Sequence, residues 1–228
     1  MSDVGHGHTV RRYDEELQRL ERRVLRMGEL VRAQLQGLPR AIDDRREGSA
    51  LAVADADDKV DAMELKVDRL IINVMARRAP AGVDLRFVVA VSRMVTDLER
   101  IGDEAASIGK VLAERQDSIE VGGAVDSYAE LAALSNLADQ LLGKAMLAFD
   151  EHSEVTAREL AFGAATPNGE LFKRVQALSA SSREEGVDVA HAVNLVLVAR
   201  SLERIVASIC NIAEHVIYLV SGEDVRHG

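Results

Sequence analysis

Apolar residues recur at three- and four-residue spacing along almost the whole chain, which is the period of amphipathic helices. The first run starts near Tyr13 and reaches about Arg45, with Leu17, Leu20, Val24, Met27, Leu30 and Val31 on one stripe. Gly37 and Pro39 predict a kink or break in its last third. Gly48 marks a turn, and Ser49 is placed to cap a second helix that runs to about Arg78. Its stripe is Val53, Ala56, Val60, Met63, Val67, Leu70 and Val74, and Pro80 and Gly82 end it. A third helix spans about Asp84 to Arg115 on Leu85, Val88, Val91, Val95, Leu98, Ile101, Ala105, Ile108 and Leu112. Three more helical segments are predicted near Asp126–Asp150, Ser153–Arg183 and Val187–Val220. Turn residues between Gly163 and Gly169 interrupt the fifth, with Thr166 as a cap and Pro167 at the first position of a restarted helix.

The stretch Gln116–Val125, with Gly122 and Gly123, is the expected linker between residues 13–115 and 126–220. Each part is long enough for an antiparallel three-helix bundle. Leu98-Glu99-Arg100-Ile101 recurs as Leu202-Glu203-Arg204-Ile205, an offset of 104 that Ile108 and Ile212 keep. The expectation is an all-α protein of six helices, arranged as two pseudo-repeated three-helix bundles.

Composition agrees with helices and narrows the function. Aromatic residues are scarce (Tyr 3, Phe 4, no Trp), whereas strands favour aromatic and β-branched side chains. A net charge of −10 argues against nucleic acid, whose phosphates call for clustered Lys and Arg. A single cysteine, Cys210, rules out an intramolecular disulfide and allows a reducing compartment; on an apolar helix face its default is an inert core thiol. Met1–Asp14 has no apolar signal core, and no run reaches the roughly 20 apolar residues a membrane span needs. A cytoplasmic protein that meets a membrane only through partners is expected.

The unusual chemistry lies on the second helix. Asp57, Asp61, Glu64 and Asp68 are spaced by four, three and four, so four carboxylates share one face without a cation of their own helix among them. The third helix adds Glu99 and Asp103, with Arg100 three residues before Asp103 and able to pair with it. Two such pairs on adjacent antiparallel helices make an all-oxygen cluster suited to Mg, Mn, Ca or ferric iron, with zinc as a further carboxylate-bound option. The competing reading is a solvated acidic face, or one neutralised by Arg from a neighbouring helix. The second half lacks this chemistry, because Glu203 is followed four residues later by Ala207. His6 and His8 sit in a polar terminus, and Asp188-x-x-His191 is half of a di-iron motif whose second copy is missing. No phosphate-cradling glycine loop, nucleophile elbow or zinc-finger spacing occurs, so nothing points to catalysis.

Asp84-Leu85-Arg86-Phe87-Val88, Asp97-Leu98-Glu99-Arg100-Ile101-Gly102-Asp103 and Ala199-Arg200-Ser201-Leu202-Glu203-Arg204-Ile205 resemble the PhoU family of bacterial phosphate-transport regulatory proteins. Asn211-Ile212, Ile217-Tyr218, the Gly222–His227 ending and Met27-Gly28 fit the same resemblance, which covers nearly all of the chain from about His8. It implies twin three-helix bundles and a cytoplasmic negative regulator of the phosphate-starvation response. Such a regulator is an adaptor between the ATP-binding subunit of the phosphate transporter and a sensor histidine kinase, often as a homodimer. It also implies a multinuclear iron or zinc cluster on Glu/Asp-x-x-x-Asp motifs, matched here by Asp57 and Asp61 with Glu99 and Asp103. The chain departs from the family pattern in its second half. Val206-Ala207 replace Gly-Asp, and the fifth helix offers Ala164 and Asn168 instead of two acids, so a cluster is expected on the first bundle only. Two other readings remain: a metal-dependent helical-bundle enzyme or metal store, and an interaction protein that has lost the family role.

Overall fold

The structure, a computed structural model, describes residues 4–43, 47–114, 124–162 and 189–225. Among these residues every regular element is helical. The elements are α1 (Val4–Asp43), α2 (Glu47–Asp55), α3 (Asp57–Arg78), α4 (Gly82–Ala113), α5 (Ala124–Asp150), α6 (Glu154–Phe162) and α7 (Val189–Ser221). The third and fourth predicted helices match α4 and α5 to within two residues. Most of the expected linker and the Gly163–Gly169 interruption fall outside the described residues, as does the fifth predicted helix beyond Phe162. Ser153 caps α6: its Oγ accepts the Thr156 backbone N–H at 3.3 Å.

Three expectations need correction. Helix α1 is already helical from Val4, because its polar, glycine-containing start carries no apolar stripe that periodicity could register. It also runs unbroken through Pro39 to Asp43. Leu38, Ala41 and Ile42 beyond or beside the proline are essentially inaccessible, so packing of that last turn offsets the hydrogen bond Pro39 cannot donate. The predicted second helix is two. It breaks at Ala56, where Lys59 N–H bonds to Ala56 O in a tight three-residue turn, and Ser49 lies inside α2 instead of capping it.

The predicted stripes are the core. Val53, Val60, Val67 and Val74 are buried on one side of α2 and α3, and every stripe residue of α4 is buried except Leu85. Each fully buried Val contributes about 1.5–3 kcal/mol. Helix α4 packs along α7 and α1 along α5, so the two sets of helices contribute to one continuous apolar cluster. Two seams fasten the halves, α1 with α5 and then α4 with α7. On the first, Arg32 holds Asp139 in a two-pronged pair at 2.8 and 3.2 Å. On the second, buried Asp97 accepts from Asn211 Nδ2 and lies 3.0 Å from His215 Nε2, while Arg204 reaches Glu104. Among the described residues no helix is long and apolar enough to cross a membrane.

Candidate functional site: a carboxylate cleft between α3 and α4

Helices α3 and α4 are joined by the short turn Ala79–Ala81, with Ala79 in the left-handed region (φ 44°), and they pack side by side. Asp57 and Asp103 lie equally far from Pro80 along the chain, and so do Asp61 and Glu99. An antiparallel hairpin brings such positions opposite one another. The four sequence-predicted site residues therefore share one cleft, with Glu64 about one turn nearer the connection between the helices.

Close approach of the helices depends on glycine. A Cβ on Gly102 would stand 2.8 Å from Asp57 Oδ1 and 3.2 Å from Val60 Cγ1. One on Gly109, two turns along the same face, would stand 2.7 Å from the Ala50 carbonyl oxygen. These two bare positions let α2 and the start of α3 settle onto α4, and they carry Asp57 inward with them.

Crowding raises proton affinity. The Asp57 carboxyl is pushed up to about 6, first by burial and then by the charges of Asp61 and Asp103. Burial, then Asp103, Glu64 and Asp61, push Glu99 up to about 7. Glu64 is raised as well, by burial and then by Asp68, Asp61 and Asp103. Among the described residues no Lys or Arg forms an ion pair with any of these acids. Arg100 in particular leans to Asp97 (3.7 Å) and not to Asp103. Asp97 is buried, and an uncompensated charge there costs more than one at exposed Asp103.

The cleft is an apposition of acids, not a finished cage: among the described residues no three His, Cys, Asp or Glu side chains already converge as metal ligands. Its donor set nonetheless fits a hard cation. The donors are all oxygen and unneutralised, and Asp57 Oδ1 is buried without a hydrogen-bond partner. Sequence reasoning missed Gln34 beside the cleft and, on the seam between the halves, the bonding of Asp97 with Asn211 and His215. Gln34 was findable, since it is a polar residue on the core face of α1, three after Val31 and seven after Met27. The side chains of His6, His8 and His191, and residues Ala164, Asn168 and Asp188, lie outside what is described. Cys210 is buried, and burial followed by the charge of Glu214 pushes its thiol up to about 11, as an inert core cysteine requires. A separate concavity of about 350 Å³ near the start of α4 is lined by apolar and polar side chains in equal number, His152 and its partner Glu21 among the polar ones.

Comparison with known proteins agrees with this architecture. Residues 24–112 match the PhoU domain. A phosphate-specific transport system accessory protein, a PhoU homologue from Pseudomonas aeruginosa, is 34% identical over 220 residues, covering 96% of this chain and 90% of that protein. The Escherichia coli K12 accessory protein PhoU is 28% identical over 222 residues, covering 96% and 90%. The crystal structure of PhoU from Pseudomonas aeruginosa superposes with a TM-score of 0.82 at 31% identity, over 92% of this chain and 100% of that one. The two relatives are named as accessory proteins of a phosphate-specific transport system. A relative at this identity across nearly the full length, with the same fold, establishes that the chain belongs to the PhoU family.

Proposed function

We propose that this protein is a cytoplasmic negative regulator of the phosphate-starvation response. It joins the ATP-binding subunit of a phosphate transporter to a sensor histidine kinase. The observation that carries the reading is the near full-length likeness to phosphate-specific transport accessory proteins, at 34% identity. The surface supports it. Among the described residues no Lys or Arg pairs with the acids of α3, and Leu65 (55% exposed) and Ile72 (64%) lie on the outer face beside them. Such a face steers and registers a partner that carries basic and apolar groups. Deleting the gene is expected to raise phosphate-scavenging genes in phosphate-rich medium, and the intact gene to restore repression. Unchanged expression in high phosphate would sink the proposal. Capture of the transporter ATPase and the kinase on the purified protein tests the two contacts separately.

A second reading is favoured by the stranded Asp57 oxygen. Asp57, Asp61, Glu99 and Asp103 hold a hard cation, ferric iron or a divalent ion such as zinc, on the first three-helix set. Bound there, the ion neutralises the acids and draws α3 and α4 together. Elemental analysis of purified protein, with and without Glu99→Ala and Asp103→Ala, tests it; no metal above background in wild type would remove the idea.

A further inference from the structure

We infer that Gln34 supplies a neutral oxygen ligand at the inner end of the carboxylate cleft, a role that rests on the cation reading above. Gln34 sits in the middle of α1 and is only 2% exposed. Its amide nitrogen donates to Val53 O at 3.1 Å and to Gly102 O at 3.0 Å, which uses both N–H groups. That fixes the amide orientation, because exchanging nitrogen and oxygen would set the oxygen against two carbonyls. Oε1 is thereby turned away from both donors' targets and left without a partner.

Asp57 Oδ1 is stranded in the same way, and both oxygens border one spot above Gly102. A Cβ built there would meet them at 3.4 and 2.8 Å. Two neighbouring buried acceptors with no donor carry an unrelieved desolvation cost. A cation satisfies both at once. An amide carbonyl next to carboxylates is a familiar part of oxygen-only sites for hard ions. Gln34 thus adds an uncharged donor on a third helix, where a further acid would add repulsion. Bare Gly102 is what lets both oxygens approach this point.

The same side chain also holds the α2–α3 break through Val53 O, so the test must separate ligation from positioning. Mn²⁺ binding to the full-length protein is measured by calorimetry and by electron paramagnetic resonance, for wild type, Gln34→Met and Gln34→Glu. Both variants lose the two hydrogen bonds to Val53 and Gly102, but only the Glu variant keeps an oxygen at the end of the chain. Ligation predicts that Gln34→Met weakens binding about ten- to hundred-fold while Gln34→Glu binds at least as tightly as wild type. If the Glu variant fails to fold, terbium luminescence lifetimes on wild type and Gln34→Met decide, since loss of the inner oxygen admits one more bound water. Equal weakening by both variants, unchanged affinity in Gln34→Met or an unchanged water count overturns the role of Gln34 alone. Wild type that takes up no Mn²⁺ overturns the cation reading and this inference with it.

Discussion

The two halves of the molecule carry the same local text and put it to different uses. In the first, Leu98-Glu99-Arg100-Ile101 leads into Gly102-Asp103; in the second, Leu202-Glu203-Arg204-Ile205 leads into Val206-Ala207. Leu98, Ile101, Leu202 and Ile205 are all inaccessible, so the core face is preserved. The difference is one side chain of volume. Bare Gly102 admits the Asp57 carboxylate, whereas at the matching position Val206 fills its own space and is 1% exposed. Loss of the second acid and loss of the glycine belong together: an acid cleft needs both the charge and the room, and the second half has given up both. The arginines diverge as well. Arg100 turns back to its own helix, while Arg204 crosses to Glu104 of the other half.

The largest effect should come from making the first half resemble the second. Gly102→Val drives atoms into Asp57 and Val60 and is expected to cost about 3 kcal/mol. It should also displace Asp57 and abolish Mn²⁺ uptake. Urea unfolding and calorimetry check it, and a variant of unchanged stability would mean that the helices are not in close contact at this point. Next comes the buried polar pair that the repeat aligns, Asp97 and Ser201. Asp97→Ala strands Asn211 and His215 and should cost about 2 kcal/mol, whereas Ser201→Ala should cost less than about 1 kcal/mol. Equal losses by urea unfolding would show that the network does not fasten the halves.

The smallest expected effect is on pH dependence. Asp57 and Glu99 are raised in the folded protein to about 6 and about 7, so between the ordinary carboxylate range and neutrality the folded state binds more protons than the unfolded chain. Their contribution is favourable at low pH and is lost as pH rises through 6 and 7. In chelator, the unfolding midpoint should therefore fall from pH 5 to pH 8, and Asp57→Asn combined with Glu99→Gln should flatten that slope. A midpoint that climbs over the same range would contradict the crowding of these acids.

The helices were legible because burial imposes a period that sequence records directly; Val60, Val67 and Val74 are buried as their spacing demands. The break at Ala56 was not, since alanine carries no breaking chemistry and the interruption comes from α2 and α3 packing on α4. The acidic cleft was legible as four- and three-residue spacing on two neighbouring helices. Its inner end was hidden: Gln34 joins it from α1, and only the fold reveals that both of its N–H groups are already spoken for. Arg100 had an acid three residues away on either side, and the pattern could not say that the buried one would win.

The seams along α4 with α7 and α1 with α5 mean that neither half is finished alone. A truncated chain ending at residue 114 would bare two long oily walls together with the orphaned halves of Arg32–Asp139 and Glu104–Arg204. Such a fragment should stick to itself. Any assemblies it forms would then be counterfeits of the missing half, and a poor guide to how intact copies meet.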